Sequence, residues 1–290
     1  MKFNRYIIGM AMAALALISC IREDLSECYG VNKLQLSYMG DGNTEIFQQK
    51  ISSVEMYIFD AAVECVYNRA LTDEELSQQE VTLPSLAVGE YRIVCVANGE
   101  NTDIIATDGK DYSTMYFADK DYTAGSVTKS NDSLYWTSKS ITVTSDDSTE
   151  VAQFVSSHYD IYVEVIGVDA QSGIQVEMSG LMPCTALDTN VAFGTATTYC
   201  PTVESIAAEN LTKSTFNVMR HTDHTAVDVK VLDKSGVELA KVNLAQFLAA
   251  NPTIDCSKQE VIIPISFSFK MADCTVSLPE WYIKDIKPEF

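Results

Sequence analysis

The sequence predicts an all-β protein built as two β-sandwiches in series behind an export signal. Three observations carry that expectation. Many short segments alternate apolar and polar residues with a period of two, the pattern of half-buried strands. Turn residues punctuate these segments at short intervals. Only Leu244 to Ala250, between a capping Asn243 and the stop Asn251-Pro252, has the signals of a good helix.

The first element is the leader. Lys2 and Arg5 give a basic start, and Tyr6 to Leu17 is an apolar run shorter than the roughly 20 residues that span a bilayer. Basic start, short apolar core and small residues read as a secretory signal peptide over residues 1–19. Leu17-Ile18-Ser19-Cys20 resembles a bacterial lipobox, which implies cleavage between Ser19 and Cys20 and lipidation of Cys20. The alternative is an ordinary signal peptide followed by a chance cysteine. Two or more acyl chains hold a protein stably where one does so only marginally, so lipid at Cys20 would make residues 20–32 a tether. Arg22-Glu23-Asp24 resembles the acidic export tag of Bacteroidetes surface lipoproteins, which implies the outer face of the outer membrane.

Removing residues 1–19 leaves 271 residues, enough for two domains. It also takes Lys2 and Arg5, moving the net charge from −20 to −22. A spread acidic excess of this size argues against nucleic acid or anionic lipid as a partner. Besides Cys20, cysteines stand at 28, 65, 95, 184, 200, 256 and 274, an odd number without C-x-x-C spacing. Several lie within apolar runs and read as small buried hydrophobes; one pair, Cys65/Cys95 or Cys256/Cys274, is left open as a disulfide.

After the tether, Lys33 to Tyr38 alternates as a strand and Asp41-Gly42-Asn43 makes a turn. Val54 to Phe59 is a second strand, and Cys65 to Leu71 a third. Thr72 with Asp73-Glu74-Glu75 predicts a capped short helix. Gly89 to Asn98 is the clearest strand of this half. Residues 99–133 read as long polar loops, and Leu134 to Thr144 returns to strand. Asp146 to Glu150 reads as a linker, placing one sandwich at 33–148 and the other at 149–290. The second half offers strands at Val151 to Val155, Tyr159 to Val168, Ile174 to Met178, Phe216 to Met219, Ala226 to Leu232 and Glu260 to Phe269.

Chemistry-bearing motifs are few. His221-Thr222-Asp223-His224 is the one dense set of ligand types, but zinc needs three or four ligands; it reads as a solvated hairpin loop, with no metal. Asp41-Gly42-Asn43-Thr44-Glu45 begins like a calcium loop yet lacks the later glycine and glutamate. No G-x-S-x-G elbow or convincing triad is present, so neither catalytic residues nor a cofactor are expected. Asp132-Ser133-Leu134 resembles the Bacteroidetes O-glycan sequon; an exposed turn fits equally. Tyr135-Trp136 is a conceivable platform for stacking sugars.

Taken together, the chain resembles the FimB-like lipoprotein anchor subunits of Bacteroidetes type V fimbriae. The matching pieces are Cys20 followed by Glu23 to Cys28, Val54 to Asp60, Gly89 to Arg92, Tyr162 to Val168, Phe216 to Arg220, Ile262 to Ile265 and the ending Trp281 to Phe290. The resemblance implies two transthyretin-like sandwiches and a non-enzymatic anchor joined to fimbrial stalk subunits by strand donation. In that family a protease cutting after a basic residue removes the first strand of stalk subunits. Here no arginine lies between Arg22 and Arg69, leaving only Lys33 and Lys50, so the first strand is expected to stay in place. Trp281, Ile283, Ile286 and Phe290 would form the donor strand, or else the last strand of their own sandwich. The competing function is a tip adhesin or glycan-binding lipoprotein of the same fold, with a host glycan or protein as ligand.

Overall fold

The structure is a computed structural model that describes residues 30–106, 112–187, 189, 191–271 and 273–286. The expected signal peptide, the cleavage site at Ser19, the lipidated Cys20 and the last donor residue Phe290 lie outside these residues.

The described chain is all-β and multi-sheeted. Its strands are β1 (Asn32–Ser37), β2 (Val54–Phe59), β3 (Cys65–Ala70), β4 (Glu80–Thr82), β5 (Gly89–Ala97), β6 (Thr102–Ala106) and β7 (Met115–Asp119). Then come β8 (Tyr135–Val143), β9 (Ser148–Gln153), β10 (Val155–Ser156), β11 (His158–Ile166), β12 (Gln175–Leu181), β13 (Cys184–Ala186) and β14 (Ala192–Phe193). The chain continues through β15 (Thr197–Tyr199), β16 (Glu204–Ile206), β17 (Leu211–Met219), β18 (Asp228–Leu232), β19 (Glu238–Asn243), β20 (Ile262–Lys270) and β21 (Asp273–Ser277).

The early strands form a three-stranded sheet, β4-β1-β9, and a five-stranded sheet, β10-β8-β5-β2-β3. Alternation directs Leu34 and Leu36 of β1, Met56 and Ile58 of β2, and Ile93 and Cys95 of β5 into one core between them. The other face of the five-stranded sheet is also buried. Phe59, Val94, Val96 and Trp136 pack there against Met115, Phe117 and Leu187, under a small sheet ordered β14-β13-β7-β6. This explains the unbroken apolar run Ile93 to Ala97, because a strand covered on both faces has no polar side.

The later strands form a second pair of sheets, β16-β17-β11-β20-β21 and β15-β12-β18-β19. Ile161, Val163 and Val165 of β11, Val229 and Val231 of β18, and Ile263, Ile265 and Phe267 of β20 fill its core. The helix Leu244–Ala250 closes one end through Leu244 and Phe247, with the Asn243 side chain accepting from the Gln246 N–H at 3.3 Å. In β12 the register shifts between Ser179 and Leu181. Gly180 sits at that bulge with φ +84°, where a Cβ would come within 2.0 Å of the Ala226 carbonyl oxygen.

Several expectations need correction. The acidic segment 146–150 is not a free linker: Ser148 onward is β9, paired in parallel with β1 from Asn32↔Ser148 to Ser37↔Gln153. Residues 99–133 are not mainly loop, since β6, β7 and a short helix at Lys120–Thr123 lie there. These strands are short, and β7, besides pairing with β6, finds its other neighbour in β13, some 70 residues later. Glu280–Ile286, expected to be extended, is helical. Among the described residues Cys65, Cys95, Cys184, Cys200, Cys256 and Cys274 are all free thiols, so neither candidate disulfide forms.

Candidate functional site

Two parts of the molecule gather polar chemistry. The first is the junction between the early and late strands. Glu260 lies at its centre: the Tyr38 hydroxyl donates to it, the Lys50 ammonium pairs with it, and the Tyr135 hydroxyl reaches Oε1 at 3.3 Å. Burial works to raise the Glu260 carboxyl, but Lys50 and Tyr38 hold it below its ordinary value. The turn residue Asp41 accepts from the backbone N–H groups of Gln259 at 2.9 Å and Glu260 at 3.1 Å. The loop that began like a calcium site therefore ties the late strands to the early ones. His158 sits beside it with Nδ1 3.0 Å from the Leu134 carbonyl, its charged form disfavoured by burial.

The His221–His224 segment is likewise not a solvated hairpin loop. His221 is only 7% exposed and its ring lies 4.7 Å from that of His224 and 5.7 Å from that of Tyr159. Arg220 stacks its guanidinium 4.7 Å from the centre of the Tyr159 ring and donates to the Cys256 and Gln259 carbonyls. Burial pushes His221 down to about 4, and Nδ1 lies 3.0 Å from the Met219 carbonyl. No group of three or more His, Cys, Asp or Glu side chains among the described residues is placed to hold a metal. The arrangement is an aromatic plug at the end of a core, which a neutral imidazole suits and a charged one does not.

The second part is the outer face of the sheet β16-β17-β11-β20-β21. Alternation along β11 turns Tyr162 and Glu164 away from the core, opposite Thr215 of β17 and Pro264 of β20. Pro264 has no N–H to offer, and β21 pairs with β20 only from Ser266 onward, so the buried proline leaves no ladder bond unmade on that side. The helix Glu280–Ile286 leans on this face. Trp281 stands at 89° to the Tyr162 ring, centroids 5.2 Å apart, and remains 39% exposed. The Tyr162 hydroxyl donates to Glu164 Oε2 at 3.2 Å. Beside it opens a groove of about 320 Å³ whose walls include Tyr162, Glu204, Lys213 and Thr215. Glu204 and Lys213 pair at 3.2 Å.

Of the residues singled out by sequence, Trp281 and Ile283 lie on this helix, which Ile286 ends. Tyr162 was noted only as part of a motif; its outward register in β11 is the signal that finds it. The Tyr135-Trp136 platform is overturned, because the two are 2% and 8% exposed and belong to the cores on opposite faces of one sheet. The Asp132-Ser133-Leu134 segment is no exposed turn: Asp132 accepts from the Asn101 N–H and the Thr102 hydroxyl, Ser133 accepts from Asn217, and Leu134 is buried. No helix among the described residues is long and apolar enough to cross a membrane.

Comparison with known proteins places these observations. The family profile described as fimbrillin-A associated anchor proteins Mfa1 and Mfa2 matches residues 25–287. No curated protein sequence matches the chain. Among solved structures, a candidate adhesin from Bacteroides thetaiotaomicron superposes with a TM-score of 0.71 at 18% identity, over 89% of this chain and 98% of that one. A candidate adhesin from Bacteroides ovatus gives 0.70 at 14% identity, over 83% and 90%. The fimbrial anchor protein Mfa2 from Porphyromonas gingivalis gives 0.65 at 13% identity, over 86% and 95%. At these identities the likeness is one of fold.

Proposed function

The chain belongs to the family of fimbrillin-A associated anchor proteins, and from that premise we propose that it is a non-enzymatic binding module displayed at the cell surface. In this reading it is a tip adhesin or glycan-binding lipoprotein, held to the outer membrane by lipid on Cys20 after cleavage behind Ser19. Its body in this reading is two transthyretin-like sandwiches dividing near residue 155 rather than at 148, supported by the apolar cores on either side of that point and by β9 and β10 lying in the early sheets. The boundary is bridged rather than open, since β13 pairs back to β7. The observation that carries the adhesive reading is the state of the C-terminal segment. It is wound as a helix against Tyr162, leaving an aromatic surface outward, rather than extended for donation. Deleting the gene should abolish adherence of the cells to a glycan- or protein-coated surface, and a palmitate analogue should label the mature protein. Unchanged adherence, or an unlabelled secreted product, ends this reading.

A second reading, the fimbrial anchor, draws on the family's description and on β1. That strand fills the middle of its sheet, with Leu34 and Leu36 buried and Lys33 paired to Glu80. A subunit keeping this strand has no open acceptor groove and would end a fibre of stalk subunits. It would join them by unwinding Glu280–Ile286 and donating Trp281, Ile283, Ile286 and Phe290. Truncation after Pro279 tests it: a folded protein that no longer retains fimbriae on the cell supports donation.

A further inference from the structure

We propose that Tyr162 and Trp281 form the aromatic corner of a saccharide-binding site, selective for neutral glycans, on the outer face of the second five-stranded sheet. The inference rests on the binding-module reading and names its ligand class and place. A sugar ring offers apolar C–H faces and a rim of hydroxyls, so it needs an aromatic surface flanked by polar groups of both hydrogen-bonding senses. The perpendicular pair, 5.2 Å between centroids, seats the edge of one ring on the face of the other and so holds the exposed part of Trp281 in a fixed orientation. The adjoining groove of about 320 Å³ supplies the rim: a carboxylate at Glu204, an ammonium at Lys213 and a hydroxyl at Thr215. That volume is near the lower end of small-molecule sites and suits a terminal sugar rather than a long chain.

Charge selects among glycans. Glu204 and Lys213 neutralise each other at 3.2 Å, while the Tyr162 hydroxyl is already turned toward the Glu164 carboxylate. The groove therefore has no cation left over for an acidic sugar, and a chain of net charge −20 repels one at longer range. Trp281 is also one of only two tryptophans, and the other is buried. A large aromatic side chain left 39% exposed beside a polar groove is the kind of surface that association covers.

The test uses the full-length mature protein in detergent on a printed array of neutral and sialylated glycans, with hits titrated in solution by calorimetry. Neutral glycans alone should bind. Trp281→Ala should weaken binding at least about tenfold and Thr215→Ala about threefold. The second variant lies on β17 rather than on the C-terminal helix, so it reads the site even if Trp281→Ala loosens that helix. Unchanged affinity in both variants, or preference for sialylated glycans, overturns the proposal. If no glycan binds while gene deletion still abolishes adherence to a protein-coated surface, the saccharide site falls and the binding-module reading stands. If deletion leaves adherence intact as well, both fall.

Discussion

The two five-stranded sheets differ in how much of them the rest of the chain covers. The early sheet, built around β5, carries a core on each face, one shared with the β4-β1-β9 sheet and one with the small sheet that includes β7 and β13. The late sheet, built around β11, carries a core on one face, and on the other it meets the short helix Glu280–Ile286. The difference is written along the strands. β5 runs Ile93-Val94-Cys95-Val96-Ala97 without a polar residue, whereas β11 alternates Ile161, Val163 and Val165 into the core with Tyr162 and Glu164 on the other face, where Tyr162 is half-buried and Glu164 only 7% exposed. A doubly covered sheet is a structural centre, and one covered only in part on its second face keeps a patch, here at Tyr162 and Thr215, where a partner can reach it.

The largest expected effect tests that contrast directly. Val94 faces the outer core of the early sheet and Thr215 the open face of the late one. Val94→Asp should cost about 4 kcal/mol or more, because a charge is buried without a partner. Thr215→Asp should change stability by no more than about 0.5 kcal/mol. Similar shifts in urea midpoint for the two variants would break the comparison.

Acid should separate the halves next. All three histidines, at 158, 221 and 224, follow β10, the last strand in sequence of the early five-stranded sheet. Burial lowers His221 to about 4 in the folded chain, against about 6.5 when unfolded. Above pH 6.5 both states hold the neutral ring and nothing is lost. As pH falls from about 6.5 toward 4 the unfolded chain takes up the proton first, and stability drops by about 3 kcal/mol. Urea titrations across this range should show the slope, and His221→Phe should flatten it; an unchanged slope would remove His221 from the account.

The junction comes third. Glu260→Gln keeps the shape but removes the charge that pairs with Lys50 and accepts from Tyr38 and Tyr135. A loss of about 2 kcal/mol is expected, with the early and late tryptophans, Trp136 and Trp281, then reporting less coincident unfolding by fluorescence. The smallest effect lies at the rim of the early half. Thr72 and Glu75 form a reciprocal capping box, and Arg69 holds Glu75 down to about 2. Thr72→Ala should cost about 1 kcal/mol, measurable as a small shift in melting temperature.

What the sequence by itself determined is local. The alternation of Val54 to Phe59 gave that strand its bounds, the Asn243 cap and Asn251-Pro252 stop bounded the helix Leu244–Ala250, and Thr72 before an acidic first turn announced the cap of a short helix. These features depend on residues within a turn or two, so they can be read along the chain. The site was legible only in part. Trp281 stood out only as a candidate donor-strand residue near the end, and its perpendicular partner Tyr162 lies some 120 residues earlier. Tertiary structure alone decided the parallel pairing of β1 with β9, the return of β13 to β7, the gathering of Tyr38, Lys50 and Tyr135 on Glu260, and the winding of 280–286 into a helix. The physical reason is that a strand's period specifies which side chains face inward, while the neighbour that completes its hydrogen bonds is chosen among every edge the whole fold leaves open.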